Sequence, residues 1–505
     1  MISPAPTANG DLHLGHIAGP FLAADVYTRY ARAAGREVLF GTGVQDTPTY
    51  VVTTAARLGT TPRELADRSA KEIQSTLASL GIAVDAFTRD EERFTSFVTR
   101  IVGDLWKAGA LRLESVKLPF SPRTRQYLVD GHVRGGCPVC LADGCAGLCE
   151  SCGHPIAAGE LVDPRSTLSS DDPLELRDAW VLVLPMEQYR ARLREHFAGL
   201  GTVMRPHMAQ AIEEMLSRPL PNFPVTYPVS WGISAPQGAV AAQVINPNAE
   251  PVAWAMYCSM LAAENRGIEV ASEDALWRPE AASEVVYFLG FDNIFPFAIS
   301  GLAMLLALSD RYVLPKKFLT NEFYELDYQK FSTSRGHAVW GRDLARSAPR
   351  DLIRFYLAST SPEHQRTNFD RGALDTVTRA RLVEPWNAVA ARVEAWVGHG
   401  PLSVSEHARA AAACIVERFT AAYELPRFSV SRVAETLTQQ LDRLQRLTAY
   451  SPGDFCHEVD VVLRCAAPIL IDLASEALVE REIHAVADRT EITPRLLPRL
   501  RPAGG

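Results

Sequence analysis

The chain has 505 residues, of which 47% are hydrophobic and 22% charged, and its formal net charge is −8. This length corresponds to about three or four domains of ordinary size. The composition excludes disordered, collagenous and small disulfide-stapled proteins, and the net negative charge gives no bulk signature of nucleic-acid binding. The longest mainly apolar stretch, residues 294–308, contains a proline and a glycine and is shorter than the roughly 20 residues of a membrane span. We therefore expect it to form a buried helix. The first ten residues carry no export signal, which predicts a cytoplasmic protein.

The first half of the chain contains two regions that differ in composition and in hydrophobic pattern. Residues 1–115 alternate short apolar runs with helical patterns, including a predicted strand at Val38–Phe40 and a predicted helix over Pro62–Leu80. This alternation favours a parallel sheet with crossover helices. Residues 116–222 are rich in glycine, cysteine, proline and short strand-like pieces, which indicates an insertion and not a continuation of the sheet.

The second half returns to the sheet pattern and then becomes helical. Residues 223–320 contain apolar runs, with a buried strand expected at Glu284–Leu289. A polar loop and linker region follows over residues 321–370. Residues 371–505 carry helical apolar stripes, so we expect an all-α domain there.

Turn residues lead into a histidine-containing helix start near the N-terminus. Pro6–Gly10 precede His13, Gly15 and His16, and an amphipathic pattern continues to Tyr30. A helix start presents backbone N–H groups to an anion. Histidines can donate hydrogen bonds to phosphate oxygens, and a glycine lets a flat base approach the backbone. Taken alone, these residues are more typical of a surface turn with incidental histidines.

A second polar segment, Lys330–Gly336, contains two cations, Lys330 and Arg335. Such a loop can fold over a triphosphate and neutralise the charge on a departing pyrophosphate. As an isolated motif it is more often a solvated turn.

Five of the nine cysteines lie within sixteen residues. Four of them form two CxxC pairs at zinc-knuckle spacing, and a site of four thiolates around Zn²⁺ is closed and structural. The alternative is four free, reduced cysteines, and Cys145 between the pairs is predicted to be a bystander. The predicted zinc ligands are Cys137, Cys140, Cys149 and Cys152.

The two polar motifs occur together in one known family. Residues 4–16 (PAPTANGDLHLGH) and, about 315 residues later, residues 330–336 (KFSTSRG) resemble the two signature motifs of class I aminoacyl-tRNA synthetases, and most closely those of methionyl-tRNA synthetases. The similarity extends to Gly41-Thr42, Gly290–Asp292 and Asp351–Leu357 and covers about residues 3–370. It implies an α/β fold with a Rossmann-like parallel-sheet catalytic domain, a zinc-knuckle insertion and an all-α domain like the family's anticodon-binding domain.

The resemblance also implies a reaction and its residues. Amino-acid carboxylate would attack ATP, with Mg²⁺, to give an aminoacyl adenylate and pyrophosphate, a reaction in which positioning and electrostatic stabilisation dominate. By this resemblance the catalytic residues are His13, His16, Lys330 and Arg335, and the ATP-binding residues are Gly15, Asp292, Ser332 and Thr333. For Asp292 a helix N-cap is the alternative role.

The chain departs from the family pattern around the amino acid. Thr333 replaces the second signature lysine, and Gly43 stands where the family has an aspartate for the substrate ammonium, so Asp46 is the expected substitute. These changes argue against methionine as the substrate. The residues expected to line the amino-acid pocket are Pro4, Thr7, Gln45, Asp46, Trp254 and Ala298.

The helical domain departs from the family as well. Family members read the anticodon partly with an Asn and an Arg one helical turn apart, where this chain has Ala388 and Arg392, with Asn387 one place out of register. By its resemblance to synthetase-like paralogs of specialised-metabolite pathways, the chain is expected to pass the activated amino acid to a small molecule, for example an N-hydroxylated amine. A separate cupin-type enzyme would then form an N–N bond. The alternatives are an authentic methionine–tRNA ligase and a catalytically dead binding or regulatory paralog.

Overall fold

The computed structural model describes residues 1–169, 171–200, 204–236, 238, 240–331, 337–448, 450–478 and 487–503. Contacts divide the chain into two compact units. The first contains residues 1–11, 39–74 and 84–320, and the second contains residues 12–38, 75–83 and 321–505. The domain boundaries expected from the sequence remain predictions.

The helices of at least seven residues are, in chain order, Leu22–Ala33, Thr49–Leu58, Pro62–Ser79, Glu92–Lys107, Arg190–Leu200, Pro206–Leu216, Pro251–Asn265, Ser300–Ala307, Gly341–Ser347, Arg350–Ser359, Arg371–Thr378, Glu384–Glu394, Glu406–Tyr423, Val430–Arg446, Pro452–Ala466 and Ile471–Ala477. The strands are Gly41–Gly43, Ala86–Thr88, Arg112–Ser121, Gln126–Tyr127, Val133–Gly136, Asp143–Cys145, Gly147–Leu148, Pro155–Ile156, Val162–Ser166, Glu175–Pro185, Asn222–Pro224, Thr226–Tyr227, Val244–Ile245, Val286–Gly290, Lys317–Asn321, Tyr324–Leu326, Gln329–Lys330, Thr367–Phe369, Leu402–Ser403 and Glu491–Ile492.

A short parallel sheet lies at the centre of the first unit. Strand Gly41–Gly43 pairs in parallel with Ala86–Thr88. Ile2 bridges in parallel to both Gly41 and Tyr287 and thereby joins strand Val286–Gly290 to the others. Helix Pro251–Asn265 is buried along most of its length and packs on the strands from one face. The carboxyl ends of these strands share one edge, where ligands bind in open α/β sheets.

The insertion folds as an antiparallel layer with its own small core. Strand Glu175–Pro185 lies between Arg112–Ser121 and Asn222–Pro224. Two of the zinc-knuckle cysteines, Cys137 and Cys149, are buried in a cluster of apolar side chains separate from the main core. The knuckle is therefore part of the packing of this layer.

The second unit is mainly helical beyond its short strands. The predicted stripe of helix Val430–Arg446 is buried at Val433, Leu437, Leu441 and Leu444, and helices Glu406–Tyr423 and Pro452–Ala466 pack beside it. Within this unit Arg354 forms a fully buried ion pair with Asp25 at 2.6 Å. The guanidinium also donates to three backbone carbonyls. The buried charge is therefore both paired with a carboxylate and hydrogen-bonded.

Several local expectations are confirmed and one strand is displaced. The helix expected over Pro62–Leu80 is present as Pro62–Ser79, and the stretch 294–308 is a buried, irregular helix. Among the described residues, none of the helices has both the length and the apolar character that crossing a membrane requires. The strand expected at Val38–Phe40 begins later, at Gly41, because the pairing with Ile2 and Ala86 begins there. The Gly41 N–H donates to the Met1 carbonyl, and the Gly41 carbonyl accepts from the Ser3 N–H.

Candidate active site

The edge formed by the strand ends of the first unit collects the residues expected to bind the amino acid. Thr42 Oγ1 donates to the carbonyl of buried Pro4 at 3.5 Å. Thr7 pairs with Gln45 in a parallel bridge, and the N–H of Ala8 donates to the Gln45 carbonyl at 3.0 Å. The N-terminal segment thus lies along the end of strand Gly41–Gly43.

Gly43 leaves no room for a side chain. A Cβ atom there would lie 2.1 Å from Thr88 Oγ1 and 2.4 Å from the Thr88 carbonyl oxygen. The family's aspartate at this position therefore does not fit this backbone, which agrees with the sequence departure.

Asp46, the expected substitute, is buried and incompletely paired. Its Oδ2 lies 3.8 Å from Arg89 Nη2, and its Oδ1 has no hydrogen-bond partner among the described residues. Burial raises the pKa of Asp46 to about 6, against the lowering effect of Arg89. Trp231 Nε1 donates to the Asp46 backbone carbonyl at 3.0 Å and fixes the loop. The free oxygen makes Asp46 suited to bind an ammonium group.

Glu250 was not anticipated from the sequence and lies against the same loop. Its Oε2 accepts hydrogen bonds from Gln45 Nε2 at 3.0 Å and Thr47 Oγ1 at 2.9 Å. The side chain is 1% exposed, and burial raises the pKa of Glu250 to about 8. The signal that could have found it is a single charged residue within an otherwise uncharged stretch, residues 244–263.

Trp254 and Ala298 are both buried in the main core. Trp254 Nε1 donates to Thr88 Oγ1 at 2.6 Å, and its ring makes an edge contact with Phe297. Trp254 therefore supports the Thr88 side chain that closes off Gly43. Ala298 follows Phe297 in the irregular helical segment.

Asp292 follows strand Val286–Gly290 on the same edge. It is the middle residue of a short helical turn whose N-cap is Gly290, so the alternative role of N-cap does not apply. Asn293 Nδ2 donates to Asp292 Oδ1 at 3.1 Å. The carboxylate is therefore oriented by its neighbour and stays partly exposed.

The four predicted zinc ligands come together. Their sulfur atoms all lie within 4.8 Å of one another, with Cys137 and Cys152 separated by 3.9 Å and Cys140 and Cys149 by 3.5 Å. Zinc–sulfur bonds of ~2.3 Å in a tetrahedron place the sulfurs about 3.8 Å apart. The thiols therefore fit a structural zinc ion.

The knuckle also contacts the turn that carries Asp292. A Cβ atom placed on Gly153 would lie only 3.2 Å from the ring of Phe291, so the glycine backbone packs closely against that ring. His207 stacks on the Phe291 ring, with the ring centroids 4.0 Å apart. A change in the knuckle can therefore reach a residue expected to bind ATP.

In the second unit the histidines of the first motif form a stacked pair. The His13 and His16 ring centroids lie 3.8 Å apart, and Phe331 stacks on the other side of His13 at 5.0 Å. A Cβ atom at Gly15 would lie 3.0 Å from His13 Nδ1, so a glycine lets the ring lie close to the backbone. Burial, with the neighbouring charges of His16 and Lys330, lowers the pKa of His13 well below its ordinary value.

Lys330 ends a short strand that pairs with Glu325, and its Nζ lies 4.2 Å from the centroid of the Phe323 ring. Its charge acts on His13, so the two signature motifs meet within this unit. The remaining loop residues expected in the site, Ser332, Thr333 and Arg335, lie outside the described residues.

Asn387 and Arg392, which the resemblance places near the family's anticodon-reading positions, have internal partners. Asn387 Nδ2 donates to the Leu500 carbonyl at 2.9 Å, and its Oδ1 accepts from the Leu500 N–H at 2.9 Å. Arg392 donates to the carbonyls of Leu444 and Leu447, with its guanidinium 4.1 Å from the Phe455 ring centroid. Both groups are therefore engaged by the chain itself.

Comparisons with known proteins agree with these motifs. The family model for class I tRNA synthetases of the M type matches residues 1–394. A methionine–tRNA ligase of Nocardioides sp. is 30% identical over 405 residues, which cover 75% of this chain and 67% of that protein. One from Cytophaga hutchinsonii is 28% identical over 376 residues, 73% of this chain and 54% of that protein. The chain thus spans about half to two thirds of these relatives.

Solved structures show the same fold. The methionyl-tRNA synthetase of Mycobacterium tuberculosis, bound by methionyl-adenylate, superposes with a TM-score of 0.74 at 16% identity and covers 100% of this chain and 99% of that one. With the α/β sheet, the cysteine knuckle and the paired signature motifs, the family match over most of the sequence leads to one conclusion: the chain belongs to the class I aminoacyl-tRNA synthetases of the methionyl type.

Proposed function

We propose that the chain activates an amino acid as its adenylate. A carboxylate oxygen of the amino acid forms a bond to the α-phosphorus of ATP, and the bond from that phosphorus to the β-bridging oxygen breaks. Pyrophosphate leaves with the electron pair, and Mg²⁺ supplies charge neutralisation on the phosphates. The stacked pair of His13 and His16, with Lys330 acting on it, carries this proposal.

The residues of the second unit serve phosphate binding. Since its pKa is lowered, His13 is neutral at pH 7 and donates one N–H without bringing a charge. Gly15 gives a flat base access to the backbone, and Lys330 neutralises the pyrophosphate with help from Arg335, Ser332 and Thr333. Asp292 is the residue proposed to bond the ribose hydroxyls, and zinc on the four cysteines orders the knuckle that packs beside its turn.

The amino acid is expected to differ from methionine. The packing around Gly43 excludes the family's carboxylate, and Asp46 offers an unpaired oxygen from a different direction. We propose that Asp46 receives the substrate ammonium, in a pocket lined by Pro4, Thr7 and Gln45.

The acceptor is proposed to be a small molecule. Asn387 and Arg392 are engaged by backbone groups of the same chain, which supports a protein that does not read an anticodon with them. An N-hydroxylated amine fits as a nucleophile for an adenylate. Rearrangement of the resulting ester to an N–N bond then needs a separate cupin-type enzyme.

The second candidate function is methionine–tRNA ligation, and the names of the curated relatives favour it. In that case tRNA is the acceptor and methionine the amino acid.

Acceptor choice is tested by following AMP release from the enzyme-bound adenylate. We expect an N-hydroxylated amine to accelerate release at least tenfold and to saturate, whereas total tRNA leaves the rate unchanged. Saturation is the criterion because hydroxylamines attack free adenylates without a catalyst, and an adenylate in buffer alone supplies that background rate. Acceleration by tRNA and not by the amine would contradict the small-molecule acceptor and establish the second candidate.

A further inference from the structure

Three carboxyl groups lie near one another at the strand ends of the first unit. Asp90 acts electrostatically on Asp46, and both of them act on Glu250. The pKa of each of the three carboxyls is raised, with burial as the largest cause. Arg89 faces Asp46 and Asp90, and Arg63 faces Asp90. Arg89 also binds the exposed carboxylate of Asp67 at 2.5 Å. Burial therefore outweighs the favourable contacts of these carboxyls, so a bound cation would lower the cost of ionising them.

Glu250 is directed towards the amino-acid pocket and away from its own helix. It is the N-cap of helix Pro251–Asn265, yet its side chain accepts no hydrogen bond from that helix. Instead Oε2 accepts from Gln45 and Thr47, and Gln45 is the residue that pairs with Thr7 in the pocket wall.

The other oxygen of Glu250 lacks a partner in either protonation state. Oε1 is buried and forms no hydrogen bond within the described part of the chain. If the carboxyl is ionised, Oε1 is an acceptor without a donor. If it is protonated on Oε1, the O–H is a donor without an acceptor. A buried polar atom without a partner is costly, so this arrangement favours a ligand that supplies the partner.

Asp46 also has an oxygen atom without a hydrogen-bond partner in the described part of the chain. Its Oδ1 is buried and unpaired among the residues with described positions. The carboxyl receives a backbone hydrogen bond from Asp90, and Arg89 Nη2 lies 3.8 Å from Oδ2. The pocket thus offers two separate carboxylate oxygens, one on the loop after strand Gly41–Gly43 and one at the start of helix Pro251–Asn265.

Resting on the proposed function, we propose that the substrate is an α,ω-diamino acid, whose α-ammonium binds Asp46 and whose side-chain ammonium binds Glu250. Two ammonium groups satisfy both oxygens and restore the charge balance. A thioether side chain such as that of methionine gives Glu250 Oε1 no hydrogen bond. Charge-assisted hydrogen bonds of this kind are among the strong ones, so the side-chain ammonium determines specificity.

The test is direct binding by calorimetry to the full chain, without ATP. The panel runs from 2,3-diaminopropionate through 2,4-diaminobutyrate and ornithine to lysine, each paired with the neutral amino acid in which a methyl group replaces the terminal ammonium. We expect at least one diamino acid to bind at least tenfold more tightly than its neutral partner. If every neutral partner binds as tightly as its diamino acid, or no diamino acid binds, the proposal is wrong.

The variant Glu250→Gln keeps the shape and removes the charge. We expect it to abolish the tenfold preference, while Glu280→Gln, an exposed glutamate of the same unit, keeps it. An unchanged preference in folded Glu250→Gln would overturn the assignment of Glu250.

A second measurement on the unaltered protein does not depend on folding of a variant. Since the pKa of Glu250 is raised to about 8, binding of a side-chain ammonium at pH 7 ionises the carboxyl. Calorimetry in buffers of different ionisation enthalpy should then show more protons released for the diamino acid than for its neutral partner. Equal proton release would contradict the proposal.

Pyrophosphate exchange separates this inference from the proposed function. Tight, Glu250-dependent binding of a diamino acid without exchange refutes adenylate formation and supports the pocket assignment. Exchange with a neutral amino acid and no binding of diamino acids supports adenylate formation and refutes the pocket assignment.

Discussion

Replacing Gly43 with alanine should destabilise the protein through a single added methyl group. The new Cβ would lie 2.1 Å from Thr88 Oγ1, 2.4 Å from the Thr88 carbonyl oxygen and 2.8 Å from the Thr88 nitrogen. Thr88 is the residue paired with Gly43 in the parallel sheet. The φ angle of Gly43 lies outside the left-handed region. The loss of stability would therefore arise from steric overlap with Thr88 and not from backbone strain.

The magnitude follows from which atoms would have to move. Adding a methyl group to a well-packed interior costs about 1–3 kcal/mol, and contacts with backbone atoms place this change near the upper end. For a domain of 150–250 residues each kcal/mol lowers Tm by roughly 2–4 °C. At about 3 kcal/mol this predicts a fall in Tm of about 6–12 °C.

The matched control is Gly103→Ala. Gly103 lies within helix Glu92–Lys107, and a Cβ there meets no atom within 4 Å. Alanine is favoured over glycine in a helix by roughly 0.5–1 kcal/mol, so this variant should be as stable as the parent or more so.

Thermal and denaturant melts of both variants measure these effects. Removing the Thr88 hydroxyl in a Gly43→Ala, Thr88→Ala double variant should not restore stability, because the carbonyl contact remains. Gly43→Asp should likewise destabilise the fold and fail to produce methionine activation. A Gly43→Ala protein as stable as the parent, or a Gly43→Asp protein that activates methionine, would refute the packing argument.

Four further substitutions test the site. His16→Ala and Lys330→Ala should each slow adenylate formation at least tenfold with unchanged melting, and unchanged rates would contradict the phosphate-site assignment. Cys149→Ser should release zinc, measured by a metal indicator, and raise the KM for ATP more than it lowers kcat, because the knuckle packs on Phe291 beside Asp292, the residue proposed to bond the ribose. A variant that keeps its zinc would contradict the ligand set. Asp46→Asn should stabilise the fold at pH 7 by at most about 3 kcal/mol, because the pKa of this carboxyl is raised from 3.8 to about 6. That gain should shrink as the pH falls from 6 towards 4, and melts showing no such trend would rule out the charged, buried carboxyl.

The sequence predicted the parts of the fold that local patterns determine. Helix Pro62–Ser79 and the stripe of helix Val430–Arg446 follow from apolar spacing, and the zinc ligands follow from two CxxC pairs. The fold class followed from two short motifs, because their combination is rare outside one family. These are features in which residues close in sequence, or fixed in spacing, carry the information.

The cluster around Asp46 was only partly predictable. Gln45 and Asp46 were expected there from the family resemblance, and their role in binding an amino acid stays a prediction. Glu250 is brought to them by a contact across about 200 residues, Gln45 Nε2 to Glu250 Oε2. The exclusion of a side chain at Gly43 likewise depends on Thr88 in the neighbouring strand. Contacts of this kind depend on the tertiary register, which periodicity does not reveal.

The roles of Asn387 and Arg392 also required the structure. From the sequence alone they stand near the family's anticodon-reading positions, one of them out of register. Their engagement depends on the tail at Leu500 and on the end of helix Val430–Arg446, both distant in sequence.

The most direct test of the central claim is amino-acid-dependent exchange of pyrophosphate into ATP, measured without tRNA across the standard amino acids and the diamino acid panel. The account predicts exchange stimulated by an amino acid other than methionine, and loss of that exchange in His16→Ala. Exchange stimulated by methionine alone would contradict the proposal that the pocket takes an amino acid other than methionine. The absence of exchange with every amino acid tested would contradict adenylate formation itself.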